Sequence, residues 1–247
     1  MSNRVLEICV ESVDHAIAAE LGGAQRIELC SDLSSGGVTP SAGSMQTARR
    51  HLRIPIHVLI RPRPGDFCYT DRELEIMHND ILAAKHFGMN GIVLGILTES
   101  KRVDVERTKV LVELAHPLPV TLHRAFDEAE DLEASLEDVI QTGASRILTS
   151  GGQARATDAI PILSRLVQAA KNRILIMPCG GINSENVLQI VRATLATEVH
   201  SSAGISNPDL ATSDGDLSDS NNGVGSGRQS VPFEKKVSTL VNLLRKM

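Results

Sequence analysis

The sequence predicts one α/β domain, a (β/α)8 TIM barrel over residues 1–247. Short β-rich runs alternate with helix-like segments about eight times, at intervals of roughly 20–35 residues, and such alternation means parallel strands joined by right-handed crossovers. The length of 247 residues suits eight such units. A weak internal echo adds to this: Gly23-Ala24-Gln25-Arg26-Ile27 and Gly143-Ala144-Ser145-Arg146-Ile147 both run from a helix end into a strand. The competing fold, an open doubly wound sheet, carries a glycine-rich fingerprint after its first strand. Here that strand ends Cys9-Val10-Glu11-Ser12, without glycine, so no nucleotide cofactor is expected.

The elements follow in order. A β-rich run at 5–10 leads to Ser12, which caps a helix to residue 21 stopped by Gly22-Gly23. The second strand, 26–30, is followed by the loop Ser35-Gly36-Gly37 and by a helix opened by Thr39 as cap with Pro40 at its first position. The third strand begins at His57 and ends at Arg61, where Pro62 and Pro64 stop it and Gly65-Asp66 turns the chain. A helix over 70–87 buries Ile76, Ile81 and Ala84 and ends at Gly88. The fourth strand is 91–95, and Asp104 caps a helix to residue 115. Strands at 120–123, 145–149, 173–178 and 198–201 alternate with helices at 131–142, 157–170 and from Asn183 or Ser184 to 193. Residues 233–246 form the closing helix. The stretch 206–230, rich in Ser, Asp, Asn and Gly, is expected to be a flexible loop, and its exit from the C-terminal face of the barrel makes it a candidate lid.

Composition excludes several functions. Aromatic residues make up 2% of the chain, so the core is aliphatic and stacking platforms for nucleic-acid bases are nearly absent. With a net charge of −5 and no Lys/Arg run, a phosphate-backbone footprint is missing, and nucleic acid is not an expected partner. No apolar run reaches the roughly 20 residues a membrane helix needs, and the first residues do not form a signal peptide. Four cysteines without a CxxC do not look like a disulfide framework, and the expected location is cytoplasmic.

Strand parity then points to a site, because side chains alternate between the helix-facing and barrel-facing sides. If Leu6, Ile8, Ile27, Leu29, Val58, Ile60, Val120, Leu122 and Val199 face the helices, then Glu7, Cys9, Glu28, Cys30, His57, Arg61, Thr121, His123, Glu198 and His200 face inward. Ordinary barrel interiors are layers of Val, Ile and Leu. Buried ions carry a penalty of several kcal/mol each unless paired, so Arg61 is expected to pair with Glu7 or Glu28. The polar side chains converge on a pocket at the C-terminal mouth. The small residues of Cys179-Gly180-Gly181 and Ser201-Ser202 let backbone N–H groups approach an anion, with Arg61 and Arg63 as further anion-binding candidates. Glu28, His123 and Asp127 are the candidate acid/base groups. Cys9 and Cys30 end adjacent strands, and two soft thiolates suit Cu(I), although small buried thiols are also common packing residues. Neither HxH nor HExxH spacing occurs, which leaves a histidine-carboxylate zinc or iron site without a sequence signal.

Several runs are familiar together: Leu6-Glu7-Ile8-Cys9, Arg26-Ile27-Glu28-Leu29-Cys30, Gly36-Gly37-Val38-Thr39-Pro40-Ser41, Ile60-Arg61-Pro62-Arg63, Gly65-Asp66-Phe67-Cys68-Tyr69, His123-Arg124-Ala125-Phe126-Asp127, Ile147-Leu148-Thr149-Ser150-Gly151 and Glu198-Val199-His200-Ser201-Ser202-Ala203-Gly204. From about residue 5 to residue 204 the chain closely resembles the CutC family, the copper homeostasis proteins. The resemblance implies a cytoplasmic barrel that self-associates as a homodimer or higher homo-oligomer, links to copper homeostasis by Cu(I) binding or trafficking, and takes Cu(I) at Cys9 and Cys30. Two thiols alone have no need of Arg61, His123 and Asp127. The alternative expectation is therefore an enzyme, a lyase, isomerase or hydrolase, acting on a small anionic metabolite such as a phosphorylated or acidic sugar.

Overall fold

In the computed structural model, which describes residues 4–204 and 230–246, eight parallel strands form a nearly closed barrel with helices around it. The strands are β1 (Val5–Val10), β2 (Arg26–Leu29), β3 (Ile56–Leu59), β4 (Gly91–Leu94), β5 (Val120–Leu122), β6 (Arg146–Thr149), β7 (Leu175–Pro178) and β8 (Glu198–Ser201). The helices are α1 (Val13–Leu21), α2 (Ala42–His51), α3 (Asp71–His86), α4 (Val105–Ala115), α5 (Leu132–Thr142), α6 (Ile160–Ala170), α7 (Val187–Thr194) and α8 (Ser230–Arg245). The expected barrel is thus observed. Residues 206–229 of the expected loop lie outside the described residues.

Local chemistry sets most helix starts. Ser12 and Asp104 accept from backbone N–H groups in the first turns of α1 and α4, as expected, and Asp131 does the same for α5. Thr70 and Glu73 form a reciprocal capping box on α3. Four starts differ from expectation, one of them being α8, which begins at Ser230 rather than 233. Thr39 does not cap α2, because its hydroxyl and amide are bound to the backbone of Arg61; Ser41 caps the helix instead, accepting from Ser44 N at 3.1 Å. A 3-10 turn at Ala156–Ala159 precedes α6. Asn183 and Asn186 close side-chain turns on the backbone around them and delay α7 to Val187. On α3 the buried stripe is Met77, Ile81 and Ala84, whereas Ile76, one residue and about 100° around the helix, is 49% exposed.

The helix-facing residues of the strands pack as an aliphatic layer. Leu6, Ile8, Ile27, Leu29, Val58, Ile92, Leu94, Leu122 and Ile147 are fully buried in one core cluster. Each such side chain contributes on the order of 1.5–3 kcal/mol of burial. The barrel-facing residues are polar where an aliphatic layer is usual. Glu7 lies beside Arg26 and His200 in register, and Cys9 beside Glu28.

The hydrogen-bonded order runs β7-β6-β5-β4-β3-β2-β1-β8, with no ladder between β7 and β8 among the described residues. Side chains bridge this seam from inside. Glu198 of β8 accepts from Arg146 of β6 through both carboxylate oxygens, at 2.6 and 3.0 Å, and from Arg26 of β2 at 2.5 Å. Arg26 also binds Glu7 and donates to the sulfur of Met177 on β7 at 3.2 Å. Removing one partner of a buried ion pair leaves an uncompensated charge. Arg146→Met is expected to lower the unfolding free energy by about 3 kcal/mol in denaturant titration. A loss below about 1 kcal/mol would mean that packing alone holds the seam.

Candidate functional site

A cavity of about 280 Å³ opens at the C-terminal mouth of the barrel. Thiols form one side of it. Cys9 and Cys30, 5% and 1% exposed, bring their sulfurs to 3.6 Å. Cys30 donates to the carbonyl of Val10 at 3.4 Å, which leaves its sulfur to accept from Cys9. That bond, burial and the neighbouring Glu28 carboxylate push the Cys9 thiol well above the usual range. Burial pushes up the Cys179 thiol, also in the cavity wall, in the same way.

Glu28 and His200 lie next to the thiols. His200 Nδ1 is hydrogen-bonded to Glu7 Oε1 at 2.8 Å, and its Nε2 stands 3.8 Å from Glu28 Oε2. Burial works against the His200 proton, but the bond to Glu7 and the charge of Glu28 outweigh it and raise its pKa. Burial would likewise raise Glu7; the Arg26 guanidinium and the His200 bond outweigh it and hold Glu7 well below the usual carboxylate range. Glu28 has no guanidinium bonded to it, and burial raises its pKa. It is the cavity carboxylate least committed to a fixed charge partner, and so the candidate for moving a proton. One donor atom from each of Cys9, Glu28 and His200 lies within 4.8 Å of the others, a set able to hold a metal ion.

Arg61, Phe67 and His123 form another wall. Arg61 does not pair with Glu7 or Glu28. It follows the end of β3, toward the mouth, and donates to the backbone carbonyls of Ser35, Gly37 and Gly65 at 3.2, 2.9 and 2.6 Å. Its place beside Glu7 is taken by Arg26, which is in register with Glu7. His123 lies against β4, where a Cβ on Gly95 would sit 2.6 Å from its ring, so only glycine admits the imidazole there. Its Nδ1 accepts from the N–H of Ala125 at 3.1 Å. Burial, with the Arg61 charge, pushes its pKa down to about 3. His123 is therefore neutral with its proton on Nε2, and serves as a hydrogen-bond donor rather than as a base.

Gly180, Gly181, Ser201 and Ser202 line the rim with Arg124. Gly180, at φ 92, holds a backbone that an L side chain rarely adopts. The Ser201 hydroxyl is committed, donating to Ile182 O at 2.5 Å and accepting from Ala203 N at 3.0 Å. Other sequence candidates lie elsewhere. Asp127 is outside the cavity wall; its carboxylate accepts from Arg124, Thr149, Ser150 and Gly152 and ties the loop after β5 to that after β6. Arg63 is tied to Glu73 at 2.5 Å and to Asp66 at 3.0 Å. Glu7, His57 and Glu198 belong to the ion layer beneath the cavity. Sequence reasoning missed Arg26 and Arg146, although Arg26 has the parity of Glu28 and Arg146 is out of phase with helix-facing Ile147.

Comparison with known proteins agrees with this framework. The sequence profile of the CutC family matches residues 4–205. A human protein named copper homeostasis protein cutC homolog is 49% identical over 199 residues, covering 81% of this chain and 73% of the relative. A Vibrio campbellii family protein CutC is 46% identical over 212 residues, covering 85% of this chain and 86% of the relative. A crystal structure described as a copper homeostasis protein CutC from Streptococcus agalactiae superposes with a TM-score of 0.77 at 35% identity, covering 81% of this chain and 98% of that one.

The buried histidines set a pH dependence. His57 is pushed down to about 4 and His123 to about 3, from an ordinary 6.5. Unfolding lets both take up a proton, so their stabilisation is full above about pH 6.5 and is lost as pH falls toward 4 and 3. His200 acts oppositely, stabilising at low pH and losing that contribution as pH rises through its raised value. Glu7 adds to the acid loss below its ordinary 4.5. The net expectation is a fall of roughly 3 kcal/mol or more between pH 7 and pH 4, read from denaturant midpoints. His123→Asn should flatten the profile; a native profile level down to about pH 4.5 would contradict the neutral histidines.

Proposed function

The chain belongs to the CutC family, and from that premise we propose that it serves copper homeostasis by taking a Cu(I) ion onto the thiols of Cys9 and Cys30 at the mouth of the barrel. The observation that carries this reading is the 3.6 Å approach of the two sulfurs from neighbouring strands. Paired soft thiolates select Cu(I) over hard cations. Both thiols give up their protons when the ion arrives, so binding releases protons and strengthens with pH. The raised pKa of Cys9 makes this dependence steep near neutrality. Cys9 also belongs to the set with Glu28 and His200, which offers the ion a third donor. Four free cysteines, three of them buried, suit the reducing cytoplasm.

A second reading is favoured by the size and charge of the cavity. About 280 Å³ is far more than one ion occupies, and Arg61 enters no ion pair with a carboxylate among the described residues. In this reading the cavity is the active site of a lyase, isomerase or hydrolase for a small anionic metabolite, a phosphorylated or acidic sugar. Glu28 moves the proton and His123 donates a hydrogen bond to the developing charge.

Anaerobic Cu(I) titration against a competing chelator tests the first reading. One ion per chain is expected, held at least about 100-fold more weakly in Cys9→Ser and in Cys30→Ser, and more tightly at pH 8 than at pH 6. Binding indifferent to both substitutions would remove copper from this cavity and leave the metabolite reading.

A further inference from the structure

We propose that Arg61 and His123 form an oxyanion subsite of the cavity, which receives the carboxylate or phosphate of a small organic ligand. This deepens, and rests on, the reading of the cavity as a metabolite site.

Arg61 is 5% exposed and carries a full positive charge. A buried guanidinium is stable when paired with a carboxylate or a bound anion. Among the described residues no carboxylate forms an ion pair with it. Its two terminal nitrogens donate to three neutral carbonyls, and its Nε–H has no acceptor, the neighbouring Tyr69 hydroxyl being likewise unpaired. His123, 6% exposed, repeats the situation: Nδ1 is spent on Ala125 and the Nε2–H has no acceptor. Buried donors without partners are rare in folded proteins, and two on neighbouring side chains are rarer. The two share a support. The Arg61 guanidinium lies 4.8 Å from the centroid of the Phe67 ring, and the His123 ring lies 4.9 Å from the same ring.

The chemistry of the pair selects its ligand. Both groups only donate, and one is cationic, so a metal cation or an ammonium is refused and an oxygen with negative charge is favoured. The carbonyl clamp prevents the guanidinium from swinging away, which keeps it in place before the ligand arrives. The neutral imidazole adds a directed bond without adding a second charge. Neither N–H is open to solvent as the walls stand, so a small side-chain shift admits the anion. The cavity volume limits the ligand to a few carbon atoms beyond the anionic group.

The test is a nitrogen–proton NMR titration of the native protein. It follows the Arg61 Nε–H and His123 Nε2–H resonances against inorganic phosphate, glycolate and 2-phosphoglycolate, with ethylene glycol as the uncharged control. Both resonances are expected to shift along one saturating curve, with a dissociation constant of about 1 mM or tighter for the best anion, and to ignore ethylene glycol. The glycolate and phosphate arms tell a carboxylate subsite from a phosphate subsite. Arg61→Lys keeps the charge and loses the Nε–H, and should weaken binding about tenfold. Shifts that grow without saturating mean an adventitious ion only and overturn the subsite. Saturating shifts confined to Glu28 and His200 also overturn it, while leaving the cavity a metabolite site. Silence at every cavity resonance overturns both.

Discussion

Everything at the mouth of this barrel depends on the buried ion layer beneath it. Glu7 and Glu198 are matched by Arg26 and Arg146, two negative charges against two positive, in the place where a barrel usually stacks Val, Ile and Leu. Such a layer is weak evidence for extra stability, since desolvation offsets most of the attraction. Its effect is on geometry. Glu198 draws β8, β2 and β6 together across the β7–β8 seam, where no ladder forms among the described residues. Arg26 keeps Glu7 ionised, Glu7 holds Nδ1 of His200, and His200 thereby turns Nε2 toward Glu28 and the thiols. The cavity inherits its proton inventory from a network that does not line it.

The walls of the cavity are chemically opposed. Soft, protonated thiols lie beside a carboxylate–imidazole couple, and another wall presents a cation and a neutral donor. A Cu(I) ion on two thiolates carries one net negative charge. Set beside an ionised Glu28, that charge is disfavoured; set beside the Glu28–His200 couple with a proton retained, it is tolerated. The proton on this couple therefore links the metal reading to acid/base chemistry. An anion on the Arg61 side does not compete for the same donors, because neither Arg61 nor the Nε2–H of His123 can ligate a metal.

Much of this was legible from the sequence. The capping residues Ser12 and Asp104 declared their helices, and strand parity placed Glu7, Cys9, Glu28, Cys30, His123 and His200 inside the barrel. Parity gives the side of a strand but not the height along the barrel axis. Parity alone therefore sets Arg61 against Glu7 or Glu28, whereas the register makes Arg26 the neighbour of Glu7 and leaves Arg61 on the loop carbonyls above. Asp127 lies in a 3-10 turn, Arg124–Glu128, that swings its carboxylate onto the loop after β6. No periodicity in the sequence encodes that turn. Ile76 failed for a simpler reason, since apolar character does not tell which of two adjacent helix positions faces the sheet.

The depth of the thiols bears on the copper proposal. Cysteines 5% and 1% exposed offer little surface to a docking partner's own ligands. Ligand exchange between two proteins requires the donor and acceptor sulfurs to share the ion, and Cys9 and Cys30 sit in one buried cluster with Leu59, against which Leu33 packs. An ion taken here is better held than handed on surface to surface. Passage in and out is left to species small enough to enter a cavity of about 280 Å³.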